Sequence, residues 1–142
     1  LGGFPVYISD EDRPLYHASA VLSCGYLVSL LQSAISIWET FGASPQDAMK
    51  AIYPLARTTL DNIANHGAQS SVTGPVVRGD AATIQSHLES LSHRAPEFLS
   101  VYQAMTQASF PFAAECGVTQ TQLAAMRELI GQYDRRSGEC RE

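Results

Sequence analysis

The sequence predicts an all-α domain of five or six helices packed around a long N-terminal helix. Three observations carry this expectation. Only residues 4–8 (F-P-V-Y-I) have strand character, and one strand cannot form a sheet alone. Residues 14–38 contain no Asp, Glu, Lys or Arg and are apolar around nearly the whole circumference of a helix. After Asp12 the chain is punctuated throughout by helix start and stop residues.

Taken in order, the strand-like run is preceded by Gly2-Gly3 and followed by the acidic turn Ser9-Asp10-Glu11-Asp12. The first helix is expected from Arg13 or Pro14 to about Phe41, with Asp12 as N-cap and Gly42 as stop. Ala20, Cys24, Leu27, Leu31, Ala34, Ile35 and Trp38 share one face. Leu22, Tyr26, Leu30 and Ile37 lie opposite, mixed with Ser19, Ser23, Ser29, Ser33 and Ser36. A helix apolar on both sides is expected to be buried on both sides. The run is also long enough to cross a bilayer. Five serines, Gln32, His17 and the lack of flanking Lys/Arg clusters argue against that reading.

The second helix opens at Ser44-Pro45 and is expected to turn Ala48, Met49, Ile52 and Leu55 inward. Pro54 should kink or split it, and Gly67 ends it. A loop with Thr73-Gly74-Pro75 and Arg78-Gly79-Asp80 leads to a third helix, 81 to about 92, capped by Asp80. A fourth spans about 96–115, with Pro111 as a second kink site and Gly117 as stop. The fifth opens with the capping box Thr119…Gln122 and runs to about Tyr133. Residues 135–142 are polar and read as a frayed tail.

Charged residues make up 16% of the 142-residue chain, against about 25% in an ordinary soluble domain. Either some surface is covered by a partner, or more is buried than one small body can bury. The net charge of −5, with Lys50 the only lysine, argues against a nucleic-acid surface. Cys24, Cys116 and Cys140 show no CxxC spacing, so neither a disulfide scaffold nor a zinc cluster is indicated. With no secretory signal, the expected setting is a reducing cytoplasm. The chain begins at Leu1 rather than Met and reads as a piece of a longer protein.

Several residues could carry chemistry. His17, one turn into the long helix beside Tyr16, reads as a general acid or as a half-buried histidine satisfied by a carbonyl. Arg78, in a loop that enters a helix N-terminus, reads as an anion ligand or as a surface arginine paired to a carboxylate. Thr59 and Asn62 face either a cleft or solvent. His66 fits a helix C-terminus, His87 reads as a surface residue and His93 as a loop residue. Cys24 reads as an inert core thiol. The chain has no GxGxxG, P-loop or GxSxG motif, and no metal site is expected.

The series Tyr16-His17-Ala18-Ser19-Ala20, Tyr26-Leu27-Val28, Pro54-Leu55, Thr59-Leu60, Asn62, Thr73-Gly74-Pro75, Arg78-Gly79-Asp80 and His87-Leu88 resembles a particular helical domain. This is the C-terminal domain of unknown function, with a YHAAA helix and a TGPxxRGD loop, of two-domain Rossmann-type proteins. Those proteins are similar to ketopantoate reductase, pyrroline-5-carboxylate reductase and the 6-phosphogluconate dehydrogenase superfamily. The resemblance implies a 6-phosphogluconate dehydrogenase C-terminal-domain-like fold over residues 13–134. It makes residues 1–12 a linker or strand belonging to a missing Rossmann domain. It also implies a homodimer through the helical domain, with NADP or NAD bound mainly by that other domain. His17 would then be the catalytic proton donor. Tyr16, Asn62, Thr73 and Arg78 would bind a small-molecule substrate, and the chain alone would be inactive. This sequence departs from the family pattern at Gly25, where an Asn usually precedes the tyrosine matching Tyr26. The alternative is a stand-alone dimeric binding or scaffold module without catalysis. Neither nucleic acid nor membrane is an expected partner.

Overall fold

The computed structural model describes residues 5–139, with side chains to Tyr133. It is all-α: 79% helical, without a strand among the described residues. The helices are α1 (Arg13–Ser23), α2 (Gly25–Glu39), α3 (Pro45–His66), α4 (Ala68–Ser71), α5 (Ala81–Arg94), α6 (Leu99–Ala108), α7 (Phe110–Glu115) and α8 (Gln120–Glu139). Single 3-10 turns at Val76–Arg78 and Pro96–Phe98 precede α5 and α6. Of the strand-like run, Phe4 lies outside the described residues. Residues 5–8 have no regular structure, as a strand without a ladder partner must. The chain divides into two compact units, Leu1–Ile52 and Tyr53–Glu142.

In the first unit the expected single long helix is broken at Cys24, between α1 and α2. Cys24 has φ −116° and ψ −68°, well off helical values. Gly25 follows it, and glycine is the ordinary residue that favours helix least. The ladder bonds Cys24 N–H to Ala20 O (3.0 Å) and Val28 N–H to Cys24 O (3.2 Å) still bridge the break. Cys24 is therefore exposed at a joint rather than buried as an inert core thiol. α2 ends in a Schellman turn: Gly42 at φ 92° donates to Glu39 O (3.0 Å), and Ala43 donates to Trp38 O (3.3 Å).

Burial overturns the expected centrality of this rod. Ile35 is its only buried residue, and it packs with Leu31, Ala34 and Trp38 against Ala48 and Ile52 of α3. The opposite face is open: Leu22 is 63% and Tyr26 56% exposed, and Leu15 reaches 74%. The stretch Arg13–Glu39 has the length and apolarity of a membrane span, with 6% of its most apolar window buried. The serines on the rod satisfy themselves. Ser19, Ser23, Ser29 and Ser33 donate to Tyr16 O, Ala20 O, Gly25 O and Ser29 O at 2.7, 3.1, 3.3 and 2.9 Å.

α3 starts as expected. Ser44 Oγ accepts from Asp47 N–H (3.2 Å) and donates to the Asp47 carboxylate (2.8 Å). It then runs through Pro54 as one helix rather than two, because a proline removes only one ladder donor. Met49 and Leu55, expected inward, are exposed, and only Ala48 and Ile52 of that set are buried. From Tyr53 to His66 every residue except half-buried Ala56 is exposed.

The second unit holds the larger core. α5, α6 and α8 pack on one another, α7 packs on α6 and α8, and the 3-10 turn at Val76 packs on α7. Ile84, Leu88, Leu123, Met126 and Ile130 are fully buried between them. The two buried polar side chains are both satisfied: Gln103 donates to Ile130 O (3.2 Å) and Thr106 to Tyr102 O (2.8 Å). The expected fourth helix is divided at Ser109. Pro111, in the first turn of α7, cannot continue the α6 ladder. Gly117 (φ 89°) closes α7 with a second Schellman turn, Gly117 N–H to Ala114 O and Val118 N–H to Ala113 O. α8 opens with the expected capping box: Gln122 Oε1 accepts from Thr119 N–H at 3.0 Å, and Thr119 Oγ1 accepts from Gln122 N–H at 3.3 Å. Its backbone runs to Glu139, past the end expected at Tyr133. The remainder of the expected frayed tail, 140–142, lies outside the described residues. His93, expected in a loop, sits in the last turn of α5, its ring bound to Glu89 O at 2.8 Å.

The break at Cys24–Gly25 has a direct test. An alanine Cβ at Gly25 would meet only Val21 Cγ1, at an ordinary 3.9 Å. Gly25→Ala should strengthen the joint by up to about 1 kcal/mol and raise the helical far-UV signal. An unchanged or lower denaturation midpoint would show that glycine is not the cause of the break.

Candidate functional site

The residues singled out by sequence fall in both units. In the first, Tyr16 and His17 occupy the second turn of α1, one turn beyond Pro14, and both are exposed. Tyr16, Leu15 and Ser19 line an open hollow of about 340 Å³ together with Tyr7, Ile8 and Asp12. His17 is exposed rather than half-buried, so of its two readings the satisfied core histidine is excluded.

In the second unit the Thr73–Asp80 loop is built in three steps. Gly74, at φ 107°, turns the chain in open space ahead of Pro75. The 3-10 turn that follows buries Val76 and is closed by Arg78 N–H (3.2 Å) and Asp80 N–H (2.9 Å), both bound to Pro75 O. Gly79 then adopts φ 65°, and a Cβ there would overlap the side-chain amide of Gln122. That amide belongs to the α8 capping box, so the loop is locked against α8 at a point where only glycine fits.

Asp80 caps α5. Its carboxylate accepts from Thr83 N–H (3.0 Å) and from Thr83 Oγ1 (2.6 Å). These two bonds, the hydroxyl's first, hold the Asp80 carboxyl below its ordinary value of 3.8, and the charges of Arg78 and His87 act in the same direction. Most of this loop is therefore structural: Val76 anchors, Gly79 fits and Asp80 caps. Arg78 and Thr73 are left exposed. Among the described residues no carboxylate stands within ion-pair distance of Arg78.

His87 was set aside by sequence reasoning. The structure brings its Nδ1 to 2.8 Å from the Tyr102 hydroxyl, with the rings edge-to-face at 5.7 Å. Burial raises the Tyr102 hydroxyl above its ordinary value of 10.0, which keeps the phenol neutral. The spacing Asp80, Thr83, His87 on one face of α5 was the available signal, but its partner Tyr102 is fifteen residues away on α6. Asn62 lies on the exposed part of α3 and Thr59 donates to Leu55 O at 2.9 Å, so neither is held against the loop by a hydrogen bond. Among the described residues no group of three His, Cys, Asp or Glu could hold a metal ion. No strand is present among them either.

Comparison with known families identifies a domain of unknown function (DUF2520) over residues 1–109. The chain belongs to that family. No curated protein and no solved structure matches it.

The Asp80 cap should make stability acid-sensitive. Its folded pKa is depressed, so its contribution is fully present above the unfolded value and is lost as pH falls through the lower folded value. Asp47, depressed first by Ser44 and then by Lys50, acts in the same sense. Thr83→Val removes the hydroxyl donor and should lower the melting temperature at neutral pH, with a smaller difference from wild type near pH ~2. An equal difference at both pH values would show that the Thr83–Asp80 bond is not its source.

Proposed function

We propose that this DUF2520 chain is the dimerising, substrate-binding part of an NAD(P)-dependent reductase or dehydrogenase. The observation that carries the reading is the α1–α2 rod, whose second apolar face leaves Leu15, Leu22 and Tyr26 exposed. Burying each large side chain on that face would contribute about 1.5–3 kcal/mol. Ser19, Ser23, Ser29 and Ser33 already satisfy their hydroxyls on the rod itself, so they can enter a dry helix–helix contact without losing a hydrogen bond. A second copy of the chain would cover this face. The self-satisfied serines would suit a bilayer as well, but His17, Gln32 and the lack of flanking basic clusters favour protein over lipid.

In this reading the dinucleotide is held mainly by a separate nucleotide-binding domain. Arg78, presented by a locked loop and free of a counter-ion, binds a carboxylate or phosphate of the substrate. Thr73 and Asn62, in the same unit, add neutral hydrogen bonds. In the first unit, taken by itself, Tyr16 supplies a hydroxyl beside His17, and His17 is the candidate proton donor. The cytoplasm is the proposed setting. A scaffold module without catalysis remains the competing reading, favoured by the Gly25 departure.

Sedimentation tests the dimer. The purified chain should be dimeric at about 10 μM, and Leu22→Glu, at a site exposed in the single chain, should dissociate it without loss of helix. A wild-type monomer that instead floats with phosphatidylcholine vesicles would overturn the second copy in favour of lipid. For the chemistry, His17→Ala in a two-domain protein should lower kcat by about 10²–10⁴. Unchanged turnover would remove His17 from the mechanism.

A further inference from the structure

The second unit contains a cleft that the proposed function does not use. It opens between the end of α6, α7 and the first half of α8, with a volume of about 590 Å³. That is the size of a small-molecule site. Phe110 and Leu123, buried at 5% and 2% exposure, form its floor, and Ala114 completes the apolar wall. Gln107 and Gln120 stand at the exposed rim, together with Arg127. Nearly all of these residues lie beyond the region matched by the family, which ends at 109.

Arg127 gives the cleft its chemistry. Its guanidinium carbon lies 4.9 Å from the centre of the Phe110 ring, a cation–π contact. The positions three and four residues away along α8 are Leu123, Ala124, Ile130 and Gly131, so the helix offers it no carboxylate. Among the described residues no ion pair to Arg127 forms. Arg13, Lys50 and Arg57, by contrast, each have an acidic partner three or four residues away. A guanidinium held over a ring keeps its N–H edge available, and that edge matches the two oxygens of a carboxylate. The rim amides of Gln107 and Gln120 can donate to the same oxygens or accept from a neighbouring hydroxyl.

We propose that this cleft binds a small organic monocarboxylate with an apolar body. The carboxylate pairs with Arg127, and the body lies on Phe110, Leu123 and Ala114. Charge complementarity selects the head group, and the enclosed apolar floor selects the rest.

The test uses the full chain and a matched pair of probes, 4-phenylbutyrate and its primary amide, followed by amide NMR shifts and calorimetry. The carboxylate should bind saturably, with shifts centred on α6, α7 and α8, and about tenfold or more tighter than the amide. Arg127→Met should remove that preference and leave amide binding unchanged. Ala114→Phe, which fills the cleft from an exposed position, should abolish binding of both. Equal affinity of acid and amide, shifts centred elsewhere, or no saturation by about 10 mM carboxylate would overturn the proposal. The comparison of the two probes on the wild-type chain needs no variant to fold.

Discussion

The α1–α2 rod, with no Asp, Glu, Lys or Arg from Pro14 to Trp38, satisfies its backbone but leaves much of its apolar side-chain surface exposed. Everything in the first unit follows from this constraint. Its described core is three residues, Ile35, Ala48 and Ile52. A body of that size with so small a core is usually completed by oligomerisation or another external constraint. The second unit has the opposite character, with α5, α6 and α8 enclosing several fully buried aliphatic side chains. The described core of the second unit is thus the larger, and that of the first the smaller.

The Thr73–Asp80 loop shows how a motif can look chemical for structural reasons. Gly79 is fixed by a positive φ and by the approach of Gln122, Asp80 by the α5 N-terminus, and Val76 by burial. Those three roles account for the motif's unusual residues without a ligand. Arg78 is different, because no contact in the fold requires a guanidinium there. Gly79 and the Asp80 cap fix the backbone beside it, and its side chain is exposed.

Most local signals were legible in the sequence, although Asp12, expected to cap α1, makes no side-chain cap bond and its carboxylate accepts from Ser9 Oγ instead (2.6 Å). The Ser44, Asp80 and Thr119 caps and the Gly42 and Gly117 stops all appear in their expected roles, because each depends only on hydrogen bonds within a turn or two. The helix breaks were less legible. Ser109 yields because Pro111 follows it, whereas Pro54 sits inside an unbroken α3. The same residue type thus gives two outcomes that the sequence pattern alone does not separate. Burial was misread because it depends on tertiary packing. Periodicity finds the apolar faces of α2 and α3, but it cannot say that Met49 and Leu55 face water while Ile52 does not. The His87–Tyr102 pair was invisible because it joins two helices.

The two unpaired arginines of the second unit raise a common electrostatic question. The chain carries a net charge of −5, so its long-range field repels anions. At physiological salt that field is screened beyond about 8 Å, so an anion that reaches either arginine meets mainly local charge. Attraction there must come from short, directed hydrogen bonds rather than from steering. Arg127, with its guanidinium carbon 4.9 Å from the centre of the Phe110 ring, has a constraint on its donor, and a donor fixed beforehand reduces the ordering cost of binding the proposed carboxylate. For that proposed ligand, selection would rest on shape and apolar body rather than on charge alone.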